Sequence, residues 1–268
     1  MHYIKKIAVD EKVELAYQFV GNKCNDRPLL VFLHEGLGSI GQWKNFPALL
    51  CEALGLQGLV YDRYGYGQST ALQEKRESDY LEYEGKYFLP LLVEKLGLQE
   101  RELILFGHSD GGSIALVYAA LFPDNILAVI SMAHHVFLEQ ISVDSITKLR
   151  ALYDSDPRLK KSFSKYHGDK ADSVVYAFSD TILGQDFKQW RMDSYLQNIK
   201  APIFTLQGDH DEYGTEKQMD LVIKNSPNKH NKKMLIPNCK HSPHLEYPEL
   251  IVKEVKAFLK MVLPNYFS

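Results

Sequence analysis

The sequence is poor in the features that mark secreted, membrane-spanning and metal-binding proteins. Its three cysteines, Cys24, Cys51 and Cys239, are odd in number, scattered and without metal or redox spacing, which favours free thiols in a reducing compartment. The N-terminal segment lacks the apolar stretch of a signal peptide, and no apolar run has the length needed to cross a bilayer. We therefore expect a cytoplasmic protein that does not associate with a membrane.

The chain also lacks an excess of charge of either sign. It has 31 Lys and Arg against 34 Asp and Glu, so its formal charge is −3 and no basic face is indicated. Nucleic acid is therefore not expected as a partner, whereas a small-molecule substrate is. A length of 268 residues is ample for a buried core, and the sequence carries no signal for an oligomeric state.

Strand and helix patterns alternate along most of the chain, which predicts an α/β fold with a mostly parallel central sheet and helices on both faces. Continuous apolar runs such as Leu29–Leu33 indicate buried parallel strands, whereas the alternating segments Tyr3–Val9 and Val13–Val20 indicate an antiparallel hairpin. The other predicted strands are Gly58–Tyr61, Glu102–Phe106, Leu127–Ser131, Ile203–Gln207 and Lys233–Ile236, and the predicted core helices include about Trp43–Ala53, Ser78–Leu96, Glu216–Lys224 and Glu249–Val262.

This alternation is interrupted between residues 137 and 200, where four helical patterns and no strand are predicted. We divide the chain into an α/β core of residues 1–136 and 201–268 and a helical cap of residues 137–200. The cap leaves the core at the C-terminal end of a strand, where α/β sites lie, so we interpret it as a lid rather than as decoration. The patterns are Val143, Ile146, Leu149 and Leu152; Asp156-Pro157 to Gly168; Val174, Val175, Phe178 and Ile182; and Phe187, Trp190, Tyr195 and Ile199.

The segment Gly107-His108-Ser109-Asp110-Gly111 fits the pattern G-x-S-x-G and lies between a predicted strand and an almost wholly apolar helix. This context is that of a nucleophile elbow, in which a tight turn exposes the serine hydroxyl above a helix N-terminus. Glycine is needed in the turn because a Cβ would collide with the neighbouring backbone. We therefore interpret Ser109 as a catalytic nucleophile.

A serine nucleophile requires a base, and the base requires a group that orients it. Asp209 and Asp211 follow one later predicted strand, and His241 and His244 follow the next. The chain order serine, aspartate, histidine is the order found in α/β-hydrolases. The candidates therefore lie on loops at the C-terminal ends of successive strands.

With these residues the chain resembles the α/β-hydrolase superfamily over nearly its whole length, and its Ser-Asp-Gly-Gly elbow is similar to that of biphenyl-hydrolase-like enzymes. The resemblance implies that Ser109 is the nucleophile, His241 the general base and acid, and Asp211 the orienting carboxylate. For His210 and His244 we expect surface or capping roles. It implies a serine hydrolase of the carboxylesterase type that cleaves a small-molecule ester or related acyl bond. A carbon–carbon bond hydrolase or lyase on the same fold is the alternative. The motifs are Leu33–Gly36, Asp62–Ser69, Gly107–Gly112, Gly208–Asp211 and His241–Pro248.

An oxyanion hole needs two N–H donors aimed at the developing negative charge. The resemblance assigns one to Asp110 and the other to the loop after the third strand, where His34-Glu35-Gly36 stands in place of His-Gly-x. Gly36 is the first choice for the second donor and Leu37 the next. The acids Glu35 and Asp110 flank the hole, so one of them is a candidate for binding a cationic group of the substrate. Favourable charge at a helix N-terminus is the other explanation for Asp110.

Several further residues are predicted to line the pocket. His134 and His135 open the cap, but adjacent side chains diverge and do not suit one metal ion, so we expect no metal and no other cofactor. The candidate substrate-binding residues are Glu35, Leu37, His135 and Trp190. The candidates for an apolar acyl pocket are Tyr64, Phe137, Phe178 and Trp190, although core packing is common for aromatic residues.

A competing hypothesis rests on the segment from Gly36 to Gly41, which fits G-x-G-x-x-G. It follows a strand and precedes a helix, and Asp62 ends the next strand about twenty residues on, as in dinucleotide-binding proteins. An NAD(P)-binding oxidoreductase would leave Ser109, Asp211 and His241 without a role.

A third class of protein to consider is a non-catalytic α/β-hydrolase relative that binds a ligand. Such proteins usually lack one residue of the catalytic triad, and none of the three is missing from this sequence.

Overall fold

Eight strands form one sheet at the centre of the molecule. They are β1 (Lys5–Ala8), β2 (Glu14–Gly21), β3 (Leu29–Leu33), β4 (Gln57–Tyr61), β5 (Leu103–His108), β6 (Ile126–Met132), β7 (Ile203–Gly208) and β8 (Lys232–Ile236). Their order in the sheet is β1-β2-β4-β3-β5-β6-β7-β8. β2 is antiparallel to both of its neighbours, and every other pair is parallel. This computed structural model describes residues 3–23 and 26–267.

Helices connect the strands and cover the sheet. They are α1 (Phe46–Leu54), α2 (Tyr80–Tyr83), α3 (Leu89–Lys95), α4 (Asp110–Leu121), α5 (Gln140–Ser155), α6 (Pro157–His167), α7 (Ala171–Leu183), α8 (Asp193–Leu196), α9 (Lys217–Asn225), α10 (Pro243–Glu246) and α11 (Pro248–Val262). Within the described part of the chain, none of these helices has the length and apolar character that crossing a bilayer would require.

The buried strand β3 shows why helices pack on both faces of the sheet. Leu29, Val31 and Leu33 belong to one hydrophobic cluster, and Leu30 and Phe32 belong to another. Successive side chains of a strand point to opposite faces, so the two clusters lie on opposite sides of the sheet. The first includes side chains of α4 and the second those of α1 and α11. A strand that is buried on both faces must be apolar at every position, as β3 is.

The predicted hairpin, strands and core helices are confirmed, with ends that differ by a few residues. The long helix predicted over Ser78–Leu96 contains a π-helical turn at Glu84–Phe88 between α2 and α3. It ends before Gly97, whose φ of 68° suits a glycine at a helix C-terminus.

Two thiols, those of Cys51 and Cys239, are free and buried, whereas Cys24 lies outside the described residues.

The segment from 137 to 200 contains three of the four predicted helices, as α5, α6 and α7. Asp156 caps α6 as expected, since its side chain accepts a hydrogen bond from the N–H of Arg158. The fourth helical pattern is wrong: only α8 is helical there, because the chain bonds back to the core through the N–H of Met192 and the carbonyl of Val136, 2.9 Å apart. Leu152 is 56% exposed and does not join the buried stripe. The boundaries of the cap stay a prediction.

Candidate active site

The turn between β5 and α4 holds Ser109 in a strained conformation, with φ of 54° and ψ of −122°. A positive φ is uncommon outside glycine and is often found at functional sites. Flanking glycines permit the turn, since a Cβ on Gly107 would lie 2.1 Å from the carbonyl oxygen of Gly111, and one on Gly111 would lie 1.9 Å from that of Leu33. The N–H of Ser109 donates to the carbonyl of Met132 at 2.8 Å. Ser109 is thereby fixed at the carboxyl end of the sheet.

His241 and Asp211 form a buried pair next to this turn. Nδ1 of His241 lies 2.8 Å from Oδ1 of Asp211. The same carboxylate accepts a hydrogen bond from the N–H of Tyr213 at 2.8 Å and one from Nε2 of Gln207 at 3.2 Å. Three donors therefore hold the carboxylate in place, and the remaining ring nitrogen of His241, Nε2, is left for other partners. Ser109 and His241 line the same cavity.

The pairing of His241 with Asp211 shifts the pKa values of both groups. Burial acts to lower the pKa of His241, but the charge of Asp211 and the hydrogen bond to it outweigh burial, and the pKa is raised. Burial acts to raise the pKa of Asp211, but the charge of His241 and the same hydrogen bond lower it. The carboxylate is therefore ionised near neutral pH, and the proton on Nδ1 points at it.

A buried arginine, Arg63, joins the loop after β3 to the nucleophile turn. Its Nη2 donates to the carbonyl oxygen of Glu35 at 2.7 Å and lies 3.4 Å from Oδ2 of Asp110. Its backbone N–H donates to Nε2 of His34 at 3.1 Å, and the hydroxyl of Tyr80 donates to Oδ2 of Asp110 at 2.9 Å. The charge of Asp110 is thus compensated within the protein.

The two predicted oxyanion-hole residues, Gly36 and Asp110, line the cavity together with Ser109. Asp110 is the first residue of α4, so its N–H has no carbonyl partner within the helix. Gly36 lies beneath the cap: a Cβ there would lie 2.2 Å from the ring of Phe178 in α7. Glycine is therefore required at this position by the contact between the loop and the cap, whereas the preceding position accommodates a glutamate.

The side chain of Glu35 differs from that of Asp110 in its surroundings. It lines the cavity, is about 30% exposed, and has Oε2 3.9 Å from Nδ1 of His108. Burial lowers the pKa of His108 well below its ordinary value, so this imidazole is neutral near pH 7 and does not form an ion pair with Glu35. Burial raises the pKa of Glu35. Among the described residues no arginine or lysine forms a salt bridge with the carboxylate of Glu35, although the charges of His241 and Arg63 oppose the effect of burial on its pKa.

Apolar side chains of residues 137–200 form a large part of the cavity walls. His135 also lines it, held by a hydrogen bond from its Nε2 to the carbonyl of Tyr213 at 3.0 Å. Trp190 stacks on Phe187 with ring centroids 4.9 Å apart, and its Nε1 donates to Glu82 at 2.8 Å. The apolar lining residues include Leu37, Phe137, Leu138, Ile146, Leu149, Phe178, Ile182, Phe187 and Trp190.

Two predictions about individual residues are wrong. Tyr64 does not line this cavity but packs on Phe88, with ring centroids 5.0 Å apart, beside a separate surface depression. His244 is not a surface residue: it is 3% exposed and its ring lies 4.7 Å from that of His108, because α10 carries it back into the core. His210 is exposed and pairs with Asp209 at 2.9 Å, in keeping with a surface role.

Asp62, the acid of the dinucleotide hypothesis, has a structural role instead. Its Oδ1 accepts from the N–H of Ile40 at 2.6 Å and its Oδ2 accepts from the N–H of Gln68 at 2.7 Å. A Cβ on Gly67 would lie 2.2 Å from the same Oδ2, so the loop closes tightly around this carboxylate. Asp62 therefore connects two loops, and its oxygens are not available for a ribose.

Sequence analysis missed the roles of Arg63, Tyr80 and His108. Arg63 lies inside the motif Asp62–Ser69, and the only signal for its role is a charged residue directly after a buried strand. Tyr80 lies near the start of a predicted helix, and nothing in the sequence indicates its hydrogen bond to Asp110. His108 was the variable position of the elbow pattern, and its contact with Glu35 arises only when β3 and β5 pair.

The comparisons with known proteins agree with this architecture. The alpha/beta hydrolase fold is recognised over residues 28–165. Serine hydrolase BPHL of Mus musculus is 23% identical over 95% of this chain and 86% of its own, and proline iminopeptidase PfmaB of Pestalotiopsis fici is 24% identical over 92% and 96%. The crystal structure of proline iminopeptidase from Mycobacterium smegmatis superposes with a TM-score of 0.71 at 20% identity, covering 97% of this chain and 98% of that one. The chain belongs to the α/β-hydrolase fold family.

Proposed function

We propose that this protein is a serine hydrolase that cleaves a small-molecule ester or related acyl bond through an acyl-enzyme on Ser109. The observation that carries the proposal is the convergence of the strained Ser109 turn and the buried Asp211–His241 pair on one cavity. The named relatives, a serine hydrolase and proline iminopeptidases, support a hydrolytic reaction.

The proposed chemistry follows from the protonation states of the pair. Neutral His241 accepts the proton of the Ser109 hydroxyl on Nε2 as the oxygen attacks the acyl carbon, and Asp211 stabilises the imidazolium that forms. The N–H groups of Asp110 and Gly36 stabilise the negative charge on the acyl oxygen. His241 then gives its proton to the leaving group, and a water molecule, activated in the same way, releases the acyl group from Ser109.

Hydrolysis of a panel of short acyl and aminoacyl esters tests this proposal, with Ser109→Ala as the matched variant. We expect the wild-type protein to turn over at least one ester and Ser109→Ala to lose several powers of ten in kcat while the fold is retained. The fold is checked by circular dichroism and thermal unfolding. Undiminished turnover by folded Ser109→Ala would contradict the proposal.

We further propose that the acyl group of the substrate carries an amine, and that Glu35 rather than Asp110 binds it. Asp110 is paired with Arg63 at 3.4 Å and accepts a hydrogen bond from Tyr80. These partners already compensate its negative charge, so it would attract a substrate ammonium group only weakly. Glu35 lines the cavity, and its carboxylate forms no salt bridge with an arginine or lysine among the described residues. An ammonium group beside Glu35 would relieve the cost of its buried charge.

Matched pairs of aminoacyl and isosteric neutral acyl esters test the amine proposal. A charge-assisted hydrogen bond is worth about 1.5–3 kcal/mol, so we expect a preference of roughly ten- to a hundredfold in kcat/KM for the aminoacyl ester. Glu35→Gln should remove most of this preference, and Glu94→Gln, remote on α3, should not. Equal rates on the two esters would reject amine recognition and leave the serine hydrolase proposal standing.

A further inference from the structure

Three side chains with metal-binding donor atoms meet beside Ser109. One donor atom from each of Glu35, His108 and His241 lies within 4.8 Å of those of the other two. They come from the loop after β3, the end of β5 and the loop after β8, so they show no local spacing in the sequence. This explains why sequence analysis predicted no metal site.

The hydrogen bonds around the two histidines leave one lone pair free on each ring. Nδ1 of His241 donates to Asp211, which leaves Nε2 as a lone pair. Nε2 of His108 lies 2.7 Å from the carbonyl oxygen of His241, which can only accept, so this nitrogen carries the proton and Nδ1 is the lone pair. That Nδ1 is the atom 3.9 Å from Oε2 of Glu35. A lone pair that faces a carboxylate is unfavourable unless a proton, a water molecule or a cation lies between them, and a cation satisfies both groups at once.

Both histidines also have the outer partners that metal-ligating histidines have. A ligating histidine almost always donates its other ring N–H to a carboxylate or a backbone carbonyl, which fixes the tautomer and the ring orientation. Asp211 serves His241 in this way, and the carbonyl of His241 serves His108. The two rings are therefore held for ligation before any ion arrives.

A second, small cavity lies beside two members of the cluster, Glu35 and His108. Glu35 lines both cavities, and His108 and His244 line the smaller one. Nδ1 of buried His244 has no hydrogen-bond partner among the described residues. The smaller cavity is therefore polar and suits a water molecule or a hydrated ion next to the cluster.

We propose that Glu35, His108 and His241 form an inhibitory Zn²⁺ site. Two imidazole nitrogens and one carboxylate oxygen are a donor set that zinc favours, and three protein ligands leave the fourth position to water. Zinc on Nε2 of His241 occupies the lone pair that would accept the proton of Ser109. The inhibitory effect rests on the proposed function, in which His241 is the base, whereas binding of the zinc ion does not depend on that function.

Calorimetric titration of Zn²⁺ into Ser109→Ala protein tests the site without any use of activity. We expect one zinc ion per chain. His108→Gln is the sharpest variant, because the glutamine amide can still donate to the carbonyl of His241 while the Nδ1 lone pair is lost. His108→Gln and Glu35→Gln should each weaken binding at least about tenfold. His210→Ala, which alters the exposed pair with Asp209, should leave it unchanged.

Ester hydrolysis with and without Zn²⁺ tests the inhibitory effect, with each variant compared with its own zinc-free rate. Zinc should inhibit the wild-type protein, a chelator should restore the rate, and Mg²⁺ at the same concentration should have no effect. Absence of zinc binding, or equal zinc affinity in folded His108→Gln, Glu35→Gln and wild-type protein, would overturn the site. Zinc bound at the site without inhibition would overturn its inhibitory role. A protein that binds zinc in calorimetry but hydrolyses no ester would count against the proposed function and not against the site.

Discussion

The α/β core and the cap of residues 137–200 differ in how their residues are held. Every residue of β3, β5 and β7 is buried, and the loops after these strands carry Ser109, Asp211 and Glu35. By contrast, α6 has one buried residue and α5 has three, and only α7, with seven, is well buried among the longer helices of the cap. The comparison indicates that the core fixes the groups proposed to react, whereas the cap supplies many of the apolar side chains that line the cavity. The predictions below test this division.

The largest effect is expected where the core holds the proposed catalytic pair. Asp211→Asn and His241→Ala should each lower kcat by at least about 10³-fold, since the base is either misoriented or absent. Steady-state kinetics on any ester that the wild-type protein cleaves measures this effect. The neighbouring exposed pair provides the controls Asp209→Asn and His210→Ala, which should remain close to wild type. Activity that survives in His241→Ala would refute the assignment.

Core and cap should also differ in the stability cost of losing an arginine. Arg63→Met leaves the buried carboxylate of Asp110 without its cation, which should lower the free energy of unfolding by about 3–5 kcal/mol. Arg158→Met on α6 removes a pair whose arginine side chain is 92% exposed, and no measurable change is expected. Urea unfolding of the two variants makes the comparison. A smaller loss of unfolding free energy for Arg63→Met than for Arg158→Met would contradict the proposed difference between core and cap.

The contact between core and cap can be tested at Gly36. Gly36→Ala places a methyl group against the ring of Phe178 and should displace the loop that offers the second oxyanion donor. We expect kcat/KM to fall about 10- to 100-fold. Phe178→Leu should restore part of this loss in the double variant, because the smaller side chain makes room, and a double-mutant cycle measures the coupling. Purely additive effects would show that the loop and the cap act independently.

The smallest expected effect is a shift in the pH dependence of kcat/KM. The pKa of His241 is raised above its ordinary value of 6.5, and only the neutral imidazole accepts a proton. The value of kcat/KM should therefore fall as the pH drops through an inflection above 6.5. Asp211→Asn removes the charge that raises the pKa of His241, so the inflection should move to lower pH. An inflection that stays in place or moves upward in Asp211→Asn would contradict the role of this carboxylate.

Most of the core was predictable because its strands are buried on both faces. The run Leu29–Leu33 is apolar at every position, and the structure assigns the strand to these same residues. The fourth helical pattern of the cap failed for the opposite reason. The segment from Phe187 to Ile199 is placed by contacts with the core, such as the hydrogen bond from the N–H of Met192 to the carbonyl of Val136, and apolar spacing alone does not encode such contacts.

The candidate site was predictable where the chemistry requires a local pattern. Ser109 follows from its glycine-flanked turn, because the turn tolerates no Cβ at Gly107 or Gly111. The link from Arg63 to Asp110 and the approach of Glu35 to His108 were not predictable. These contacts join loops that are distant in the chain, and only the order of strands in the sheet brings them together.

The most direct test of the account is the site of covalent labelling by a fluorophosphonate. This probe phosphonylates a serine that an adjacent base activates, and peptide mass spectrometry locates the adduct. The account predicts one adduct, on Ser109, that is absent from Ser109→Ala and forms much more slowly in His241→Ala. A folded wild-type protein that remains unlabelled, or that is labelled at another residue, would contradict the central claim.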